Sequence, residues 1–286
     1  MPSDNDPRNY IDAAAFPRLE TRYISAPTTI MRRDPSSSAA AETQLIFGEY
    51  FHFPDVDQES QDWLWGQSES LLPHSSYGAS DDTSYPGYVG WIKQSDTSDG
   101  LSIPAYKVTS ISAPVFSKSD IKSLVQTCLP LNSLVTGHID KGFLKTDQGF
   151  IHLNHISELA APSRHADWVS VAEALIGQPY IWGGVSSFGL DCSGLVQTAL
   201  RALGGDPPRD SDQQPQMGQA APIKDDLSGL KRGDLIFWKG HVGIMTSPTR
   251  LLHANAHHMM VAAEPLVTAV ARIKESAGVV TGIRRI

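Results

Sequence analysis

The sequence predicts an α+β protein, in which two small β-rich modules precede a domain of helices packed on an antiparallel sheet. Up to about residue 160 the chain consists of short β-prone runs separated by polar turns. From residue 163 apolar residues recur at helical spacing, and from residue 235 short apolar runs return. Helices followed by consecutive strands are typical of an α+β domain.

The length and charge of the chain limit its organisation and its partners. A chain of 286 residues usually divides into two or three domains. The net charge of −8 argues against nucleic acid or an anionic membrane surface as the main partner. No run approaches the roughly 18 apolar residues of a membrane-spanning helix, and residues 1–10 lack the basic and apolar regions of a signal peptide. We therefore expect a cytoplasmic protein.

The first half of the chain is expected to contain an extended arm and two small barrels. Residues 1–20 show little periodicity and form the arm, and residues 21–95 form the first β module. Residues 95–100 are rich in Ser, Asp and Gly and predict a linker. Residues 104–160 form the second β module, whose short strands suit a small barrel.

Residues 163–286 are expected to form the third region, with helices first and strands second. Ser163 can cap a first helix, which Gly177 and Pro179 end. A second helix begins next to Cys192 and ends at two glycines, 204 and 205. Strand candidates follow at residues 235–238, 241–245, 251–254, 260–263 and 279–284.

Cys192 is the first candidate for chemistry. It follows a stretch rich in glycine and aromatic residues and lies at the start of the second helix, where unpaired N–H groups and the helix dipole favour a thiolate. The other cysteine, Cys128, is far away in sequence, so neither a disulfide framework nor a Cys-rich zinc site is expected. The alternative is that Cys192 is a buried structural cysteine.

A nucleophilic thiol needs a base within hydrogen-bond reach and a group that orients the base. His241 opens an apolar strand candidate and His253 lies in the next one, so pairing of the two strands can place both imidazoles on one face. The alternative is two ordinary, partly exposed histidines. His253 and His257 are four residues apart, roughly 13 Å along a strand, which is too far to share a zinc ion. We expect no metal and no cofactor.

Four motifs occur in a specific order in the last third of the chain. They are Pro-Tyr-x-Trp-Gly-Gly at 179–184, Asp-Cys-Ser-Gly-Leu-Val-Gln at 191–197, Arg-Gly-Asp-Leu-Ile-Phe-Trp at 232–238, and the pair His-Val-Gly-Ile and Leu-Leu-His-Ala at 241–244 and 251–254. In these motifs residues 163–286 resemble the NlpC-type cell-wall peptidases, which are papain-like cysteine peptidases. The resemblance implies a papain-like catalytic domain.

The two β modules in turn resemble bacterial SH3-like domains. The whole arrangement resembles the subgroup that cleaves γ-D-glutamyl–diamino-acid bonds in murein peptides. By position, the resemblance implies that Cys192 is the nucleophile, His241 the general base and His253 the group that orients it. Tyr180 matches the family's tyrosine near the oxyanion, and its alternative is a stacking aromatic of the core.

The resemblance also implies how the free amine of the substrate is held. In the subgroup, an Asp beside the nucleophile and a Ser in an Arg-Asp-Ser-like run bind this amine, and Asp191 and Ser211, with neighbouring Asp210, match them. Asp191 can also serve as a helix N-cap.

Two aromatic positions complete the expected binding pocket. A tyrosine from the first SH3-like domain also contacts the amine in the subgroup, and we choose Tyr88 for it, with Tyr85 as the competitor. Trp182 is expected to wall the pocket, and its alternative is an aromatic core position.

These residues together predict a cysteine endopeptidase. We expect it to hydrolyse the γ-D-Glu–diamino acid bond of murein tri- or tetrapeptides with a free N-terminal L-Ala, during cell-wall peptide recycling. The alternatives are an exported hydrolase of intact peptidoglycan, a non-catalytic wall-peptide binding protein and, more distantly, a thiol acyltransferase or amidase acting on lipids.

Overall fold

The structure, a computed structural model, describes residues 19–54, 62–69, 88–99 and 103–286. The described residues fall into two compact units, one that ends at Pro162 and one that runs from Ser163 to Ile286. This boundary coincides with the predicted start of the C-terminal domain at residue 163. The predicted arm at residues 1–20 lies outside the described residues except for its last two, which already belong to a strand.

The first β module is an antiparallel sheet of short strands. The strands are β1 (Leu19–Ile24), β2 (Thr28–Arg32), β3 (Ala41–Ile46), β4 (Tyr50–Pro54), β5 (Trp63–Glu69), β6 (Val89–Lys93) and β7 (Thr97–Ser98). They are ordered β3-β2-β6-β5-β4-β1-β7. Because β7 pairs with β1, the predicted linker at 95–100 is wrong at Thr97 and Ser98.

The second β module encloses its own apolar core between two antiparallel sheets. Its strands are β8 (Tyr106–Val108), β9 (Ser112–Phe116), β10 (Val125–Pro130), β11 (Leu134–Val135), β12 (His138–Asp140), β13 (Phe143–Thr146), β14 (Gly149–His152) and β15 (Ile156–Glu158). The sheet orders are β10-β9-β14-β13-β12 and β11-β8-β15. Phe47 of the first module packs into this core and accepts a backbone hydrogen bond from Leu134, so the two modules form one unit.

The C-terminal unit contains helices and an antiparallel sheet, which agrees with the predicted α+β class. In chain order its elements are α1 (Trp168–Ala174), β16 (Val185–Ser186), β17 (Gly189–Leu190), α2 (Cys192–Ala202), β18 (Gln219–Ala220), β19 (Asp234–Trp238), β20 (His241–Ser247), β21 (Arg250–Asn255), β22 (Met260–Pro265), α3 (Leu266–Ala277) and β23 (Gly282–Arg285). The main sheet is ordered β18-β23-β19-β20-β21-β22, while β16 and β17 pair separately. None of the helices in the described ranges is both long enough and apolar enough to cross a membrane.

The first helix is capped by a residue other than the predicted one. Asp167 is the N-cap of α1, and its carboxylate accepts a 2.7 Å hydrogen bond from the backbone N–H of Ser170. Ser163 lies five residues before the helix, too early to cap it, and donates instead to the carbonyl of Ala202. Ser163 therefore ties the start of the unit to the end of α2.

The helix α3 was not predicted from the sequence. It buries Leu266, Ala269 and Ile273, which are spaced three and four residues apart and pack in the same core cluster as Met245 of β20. Gly278, at a φ of 82°, follows its last turn in the left-handed conformation that commonly ends helices. The helix covers the face of the sheet on which the candidate histidines lie, as the register below shows.

Candidate active site

Cys192 is the first residue of α2, as the sequence predicts. Asp191 is the N-cap in an extended conformation, and its carboxylate accepts a 2.7 Å hydrogen bond from the N–H of Gly194. A Cβ on Gly194 would overlap the carbonyl oxygen of Gly184. The glycine therefore lets the protein's own loop lie against the first turn of the helix.

The Cys192 side chain is buried, and burial dominates its protonation. Burial and the Asp191 carboxylate raise the pKa of the Cys192 thiol to about 11. Hydrogen bonds from the backbone N–H groups of Val242 and Ser193 and the charge of Arg209 lower this pKa, but their effect is smaller. The expectation that the helix start favours a thiolate is therefore wrong for the resting protein. Cys192 rests as a neutral thiol.

The hydrogen bond from Val242 brings the start of β20 to the nucleophile. Val242 follows His241 directly, so the strand that carries the candidate base runs past the Cys192 sulfur. The Nε2 of His241 lies 2.8 Å from the Nδ1 of His253, and the two ring centroids are 5.1 Å apart. The structure thus confirms that the two histidines meet.

Sheet register explains this contact. Ile244 pairs with Leu252, so continuing the ladder by one residue makes His241 and His253 diagonal neighbours on one face. In the next strand pair, Leu251 lies opposite Glu264, which makes Glu264 the diagonal neighbour of His253 on the same face. One diagonal line across β20, β21 and β22 therefore carries both imidazoles and a carboxylate.

The carboxylate of Glu264 extends the histidine pair into the protein. The Nε2 of His253 lies 2.8 Å from Oε1 of Glu264, and Arg272 of α3 donates to both Glu264 oxygens at 2.5 and 3.0 Å. We call His241, His253, Glu264 and Arg272 the relay. Sequence reasoning missed Glu264 and Arg272.

Both histidines of the relay rest neutral. Burial, the neighbouring His253 and the charge of Arg272 lower the pKa of His241 to about 3, although Glu264 raises it. Burial and then Arg272 lower the pKa of His253 to about 3, and His257 and His258 act in the same direction. A neutral imidazole is the form that can accept a proton from a thiol.

Tyr180 lies beside the nucleophile. Burial and the nearby Cys192 and Asp191 raise the pKa of its hydroxyl to about 12, so Tyr180 stays a neutral hydrogen-bond donor. Its side chain is half-buried and its backbone N–H donates to the carbonyl of Met259. The predicted place of Tyr180 near the oxyanion remains a prediction.

The Asp191 carboxylate is fully engaged within the chain. Arg209 donates to both of its oxygens at 2.5 and 3.1 Å, and further bonds come from the N–H groups of Gly183 and Gly194 and the hydroxyl of Ser193. A substrate ammonium would have to displace one of these donors. The predicted direct amine contact at Asp191 remains a prediction that these bonds do not favour, because this carboxylate already holds the helix start and an arginine.

Arg209 opens the Arg-Asp-Ser run that contains the predicted residues Asp210 and Ser211, both of which are half-buried in a turn. The buried side chain of Gln214 donates at 3.0 Å to the carbonyls of Ser193 and Pro208. Arg209 and Gln214 thus fasten this turn to the start of α2. Sequence reasoning missed both residues, although Arg209 stands directly before Asp210.

The two predicted aromatic positions differ in exposure. Trp182 is 70% exposed, so the alternative of a core position is wrong and the residue is available to line a pocket. Tyr88 is 7% exposed and belongs to the apolar core of the first β module, beside Met31 and Phe51. Its assignment as a substrate contact remains a prediction that this burial does not favour. Tyr85 lies outside the described residues.

One group of described residues has the composition of a metal site. Donor atoms of His253, His258 and Glu264 lie within 4.8 Å of one another, whereas the pair weighed in the sequence was His253 with His257. Both nitrogens of His253 and both oxygens of Glu264 already take part in the relay. A cation there would have to break these hydrogen bonds, so we assign the two residues to the relay.

Comparison with known proteins shows which family the chain resembles. Residues 177–272 match the model of the NlpC/P60 family. Gamma-D-glutamyl-L-lysine dipeptidyl-peptidase of Bacillus subtilis (strain 168) is 27% identical over 271 residues, which cover 86% of each chain. The protein of the same name from Bacillus cereus (strain ATCC 10987 / NRS 248) is also 27% identical, over 79% of this chain and 71% of its own.

A solved structure supports the fold over nearly the whole chain. The crystal structure of an NlpC/P60 family protein from Bacillus cereus ATCC 10987 matches with a TM-score of 0.71 and 22% identity, covering 93% of this chain and 99% of that one. The matched family segment contains Cys192, His241 and His253. Over residues 177–272 the chain is therefore similar to the NlpC/P60 family.

Proposed function

We propose that the protein is a cysteine endopeptidase that hydrolyses the γ-D-Glu–diamino acid bond of murein peptides. The observation that carries this proposal is the neutral Cys192 thiol at the start of α2, held against β20 next to a histidine pair bonded at 2.8 Å. The names of the two Bacillus relatives support the type of bond, since both are γ-D-glutamyl-L-lysine dipeptidyl-peptidases.

The acylation step begins with two neutral groups. His241 accepts the Cys192 proton on Nδ1, the nitrogen that does not face His253, while the sulfur attacks the γ-carbonyl carbon. The carbonyl electrons move to oxygen, and the backbone N–H of Cys192 at the start of α2 and the Tyr180 hydroxyl donate to that oxyanion. The protonated His241 then gives its proton to the leaving amine of the diamino acid, and the C–N bond breaks.

Deacylation repeats the same proton path with water. His241, neutral again, takes a proton from a water molecule that attacks the Cys192 thioester. Collapse of the second tetrahedral intermediate breaks the C–S bond, and His241 returns the proton to the sulfur. The acid product leaves as L-Ala-D-Glu, with its γ-carboxylate free.

The bonds that Asp191 makes within the chain suggest which residues contact the free N-terminal amine. We assign Asp191 to holding Arg209, and we assign Ser211 and Asp210 of the fastened turn to contacting the amine. A pocket with carboxylate and hydroxyl groups rejects a blocked N-terminus, because its polar groups then stay unpaired. Trp182 serves as an exposed wall of this pocket.

The test is hydrolysis of the synthetic peptides L-Ala-γ-D-Glu-diaminopimelate and L-Ala-γ-D-Glu-L-Lys, followed by mass spectrometry. We expect the dipeptide L-Ala-D-Glu from the wild type and none from the Cys192→Ala variant. N-acetylation of the alanine should abolish cleavage. Equal product from both proteins, or none from either, would reject the proposal.

The same peptides separate the rival functions. A recycling enzyme of the cytoplasm prefers them to intact sacculi and is found in the cytoplasmic fraction of the cell. An exported hydrolase would clear sacculi in a zymogram. A wall-peptide binding protein would bind the peptides in calorimetry without cleaving them.

A further inference from the structure

The hydrogen bonds of the relay determine which ring nitrogens carry protons. A neutral imidazole has one N–H donor and one acceptor nitrogen, whereas an ionised carboxylate only accepts. Arg272 donates to both oxygens of Glu264, which favours the ionised carboxylate. The Nε2 of His253, 2.8 Å from Glu264, must therefore be the protonated nitrogen of its ring.

The tautomer of His253 also determines the tautomer of His241. With its proton on Nε2, neutral His253 has a lone pair on Nδ1, and the group 2.8 Å away is Nε2 of His241. For a hydrogen bond to form, His241 must donate from Nε2, which leaves the lone pair of His241 on Nδ1. That is the nitrogen that takes the thiol proton.

The histidine pair alone would not make this choice. If His253 carried its proton on Nδ1 and donated to His241, the contact of 2.8 Å would be equally satisfied. His241 would then carry its proton on Nδ1 and could accept none from Cys192. Only the carboxylate at the far end of the pair distinguishes the two arrangements.

We propose that Glu264, held by Arg272, is a positioning residue that fixes the tautomers of His253 and His241 and so makes His241 Nδ1 the proton acceptor for Cys192. Its consequence for hydrolysis rests on the proposed cysteine-peptidase function, but the tautomers are a property of the free protein. Glu264 is 7% exposed and the His253 side chain is fully buried, so water does not replace the carboxylate.

The charged and titratable groups around the pair come from each element that packs against it. Cys192 begins α2 and accepts a hydrogen bond from the N–H of Val242, the residue next to His241. Glu264 comes from β22 and Arg272 from α3. His257 and His258, in the turn before β22, act on His253. Glu264 and Arg272 compensate each other, so the end of the relay adds little net charge when His241 becomes an imidazolium.

The test compares Glu264→Gln and Glu264→Ala with Glu275→Gln, a matched control that removes an exposed carboxylate from α3. Long-range ¹H–¹⁵N NMR spectra of the free protein distinguish protonated from unprotonated ring nitrogens. We expect the wild type and the control to carry protons on Nε2 of both His241 and His253. The two Glu264 variants should show mixed or reversed tautomers.

Reactivity provides a second readout. The Glu264 variants should lose about 10²-fold in kcat/KM, the lower end of what a positioned general base contributes, while the control keeps wild-type activity. If the wild type fails to cleave the peptides, the NMR result still decides this proposal. Wild-type tautomers in Glu264→Ala would overturn it, as would kcat/KM equal to that of the control.

A second variant covers the case in which the Glu264 variants do not fold. Arg272→Met leaves Glu264 bonded to His253, so the Nε2–H tautomers should persist. Because the charge of Arg272 lowers the pKa of both histidines, the acidic limb of the kcat/KM profile should move to higher pH. Reversed tautomers in this variant, or an unchanged acidic limb, would contradict the assigned roles.

Discussion

Replacing Arg209 by methionine tests how the helix start that carries the nucleophile is held. The guanidinium donates to both Asp191 oxygens and, at 2.9 Å, to the hydroxyl of Ser193. The Arg209 and Asp191 side chains are only 9% and 11% exposed. Removal of the arginine leaves a buried carboxylate that accepts hydrogen bonds from two backbone N–H groups and one hydroxyl.

The expected cost follows from this burial. Removing one partner of a buried, hydrogen-bonded ion pair destabilises a protein by about 3–5 kcal/mol, because the other charge stays desolvated. The matched control is Arg232→Met in the same unit, since Arg232 pairs with Asp167 and Glu173 at side-chain exposures of 36–46%. An exposed network of this kind contributes about 0–1 kcal/mol. The two variants should therefore differ by at least about 2 kcal/mol.

Native-state hydrogen exchange of the α2 amides in the full chain measures this difference, because it reports the opening free energy of that helix alone. A double variant, Asp191→Asn combined with Arg209→Met, removes both charges and should recover part of the stability that Arg209→Met loses. A further expectation concerns reactivity: the Arg209 charge lowers the pKa of Cys192, so Arg209→Met should slow alkylation of the thiol at a given pH. A destabilisation no larger than that of Arg232→Met would refute the reasoning.

Three further predictions concern the thiol, the histidine pair and the exposed tryptophan. Iodoacetamide should alkylate Cys192 faster with each rise of pH beyond 9, because burial raises its pKa to about 11; a midpoint below pH 8 would mean that a thiolate is already present. Because the pKa values of His241 and His253 are lowered to about 3, the unfolded chain binds more protons than the native one between pH 6.5 and 3. The free energy of unfolding should therefore decrease as the pH is lowered through that window, by at most about 1.4 kcal/mol per pH unit for each histidine. In a double His→Gln variant at these positions, the urea midpoint should decrease less steeply over the same pH range. Trp182→Ala should change the unfolding free energy by less than about 0.5 kcal/mol, because the side chain is 70% exposed, yet raise KM; an unchanged KM would remove Trp182 from the pocket wall.

The parts of the site that the sequence predicts are those set by neighbours in the chain. The helix start at Cys192 follows from a preceding Asp, helical spacing and two terminal glycines. The meeting of His241 and His253 follows from two consecutive apolar strands, although their diagonal register is visible only in the structure. Local pattern was sufficient for these features because each lies within one element or one strand pair.

The parts that the sequence did not predict depend on contacts between distant residues. Asp191 and Arg209 are 18 positions apart, and no spacing rule connects them, so the aspartate was assigned to the substrate. Glu264 and Arg272 were not predicted as part of the relay because the sequence analysis did not identify α3. Leu266, Ala269 and Ile273 nevertheless have helical spacing. Pro265 directly before them looks like a break in the chain, yet proline is well tolerated at the start of a helix.

Burial gives the relay its importance for the proposed chemistry. The low polarity that raises the pKa of Cys192 to about 11 also lowers the pKa of His241 to about 3. Both shifts disfavour a thiolate–imidazolium pair in the resting protein. The proton must then move while the sulfur attacks, and it can move only if a lone pair already faces the thiol. In a site with a preformed ion pair, both His241 nitrogens carry protons and the tautomer is irrelevant. In this neutral site, the Glu264 carboxylate determines whether His241 can act as a base, although it contacts His241 only through the side chain of His253.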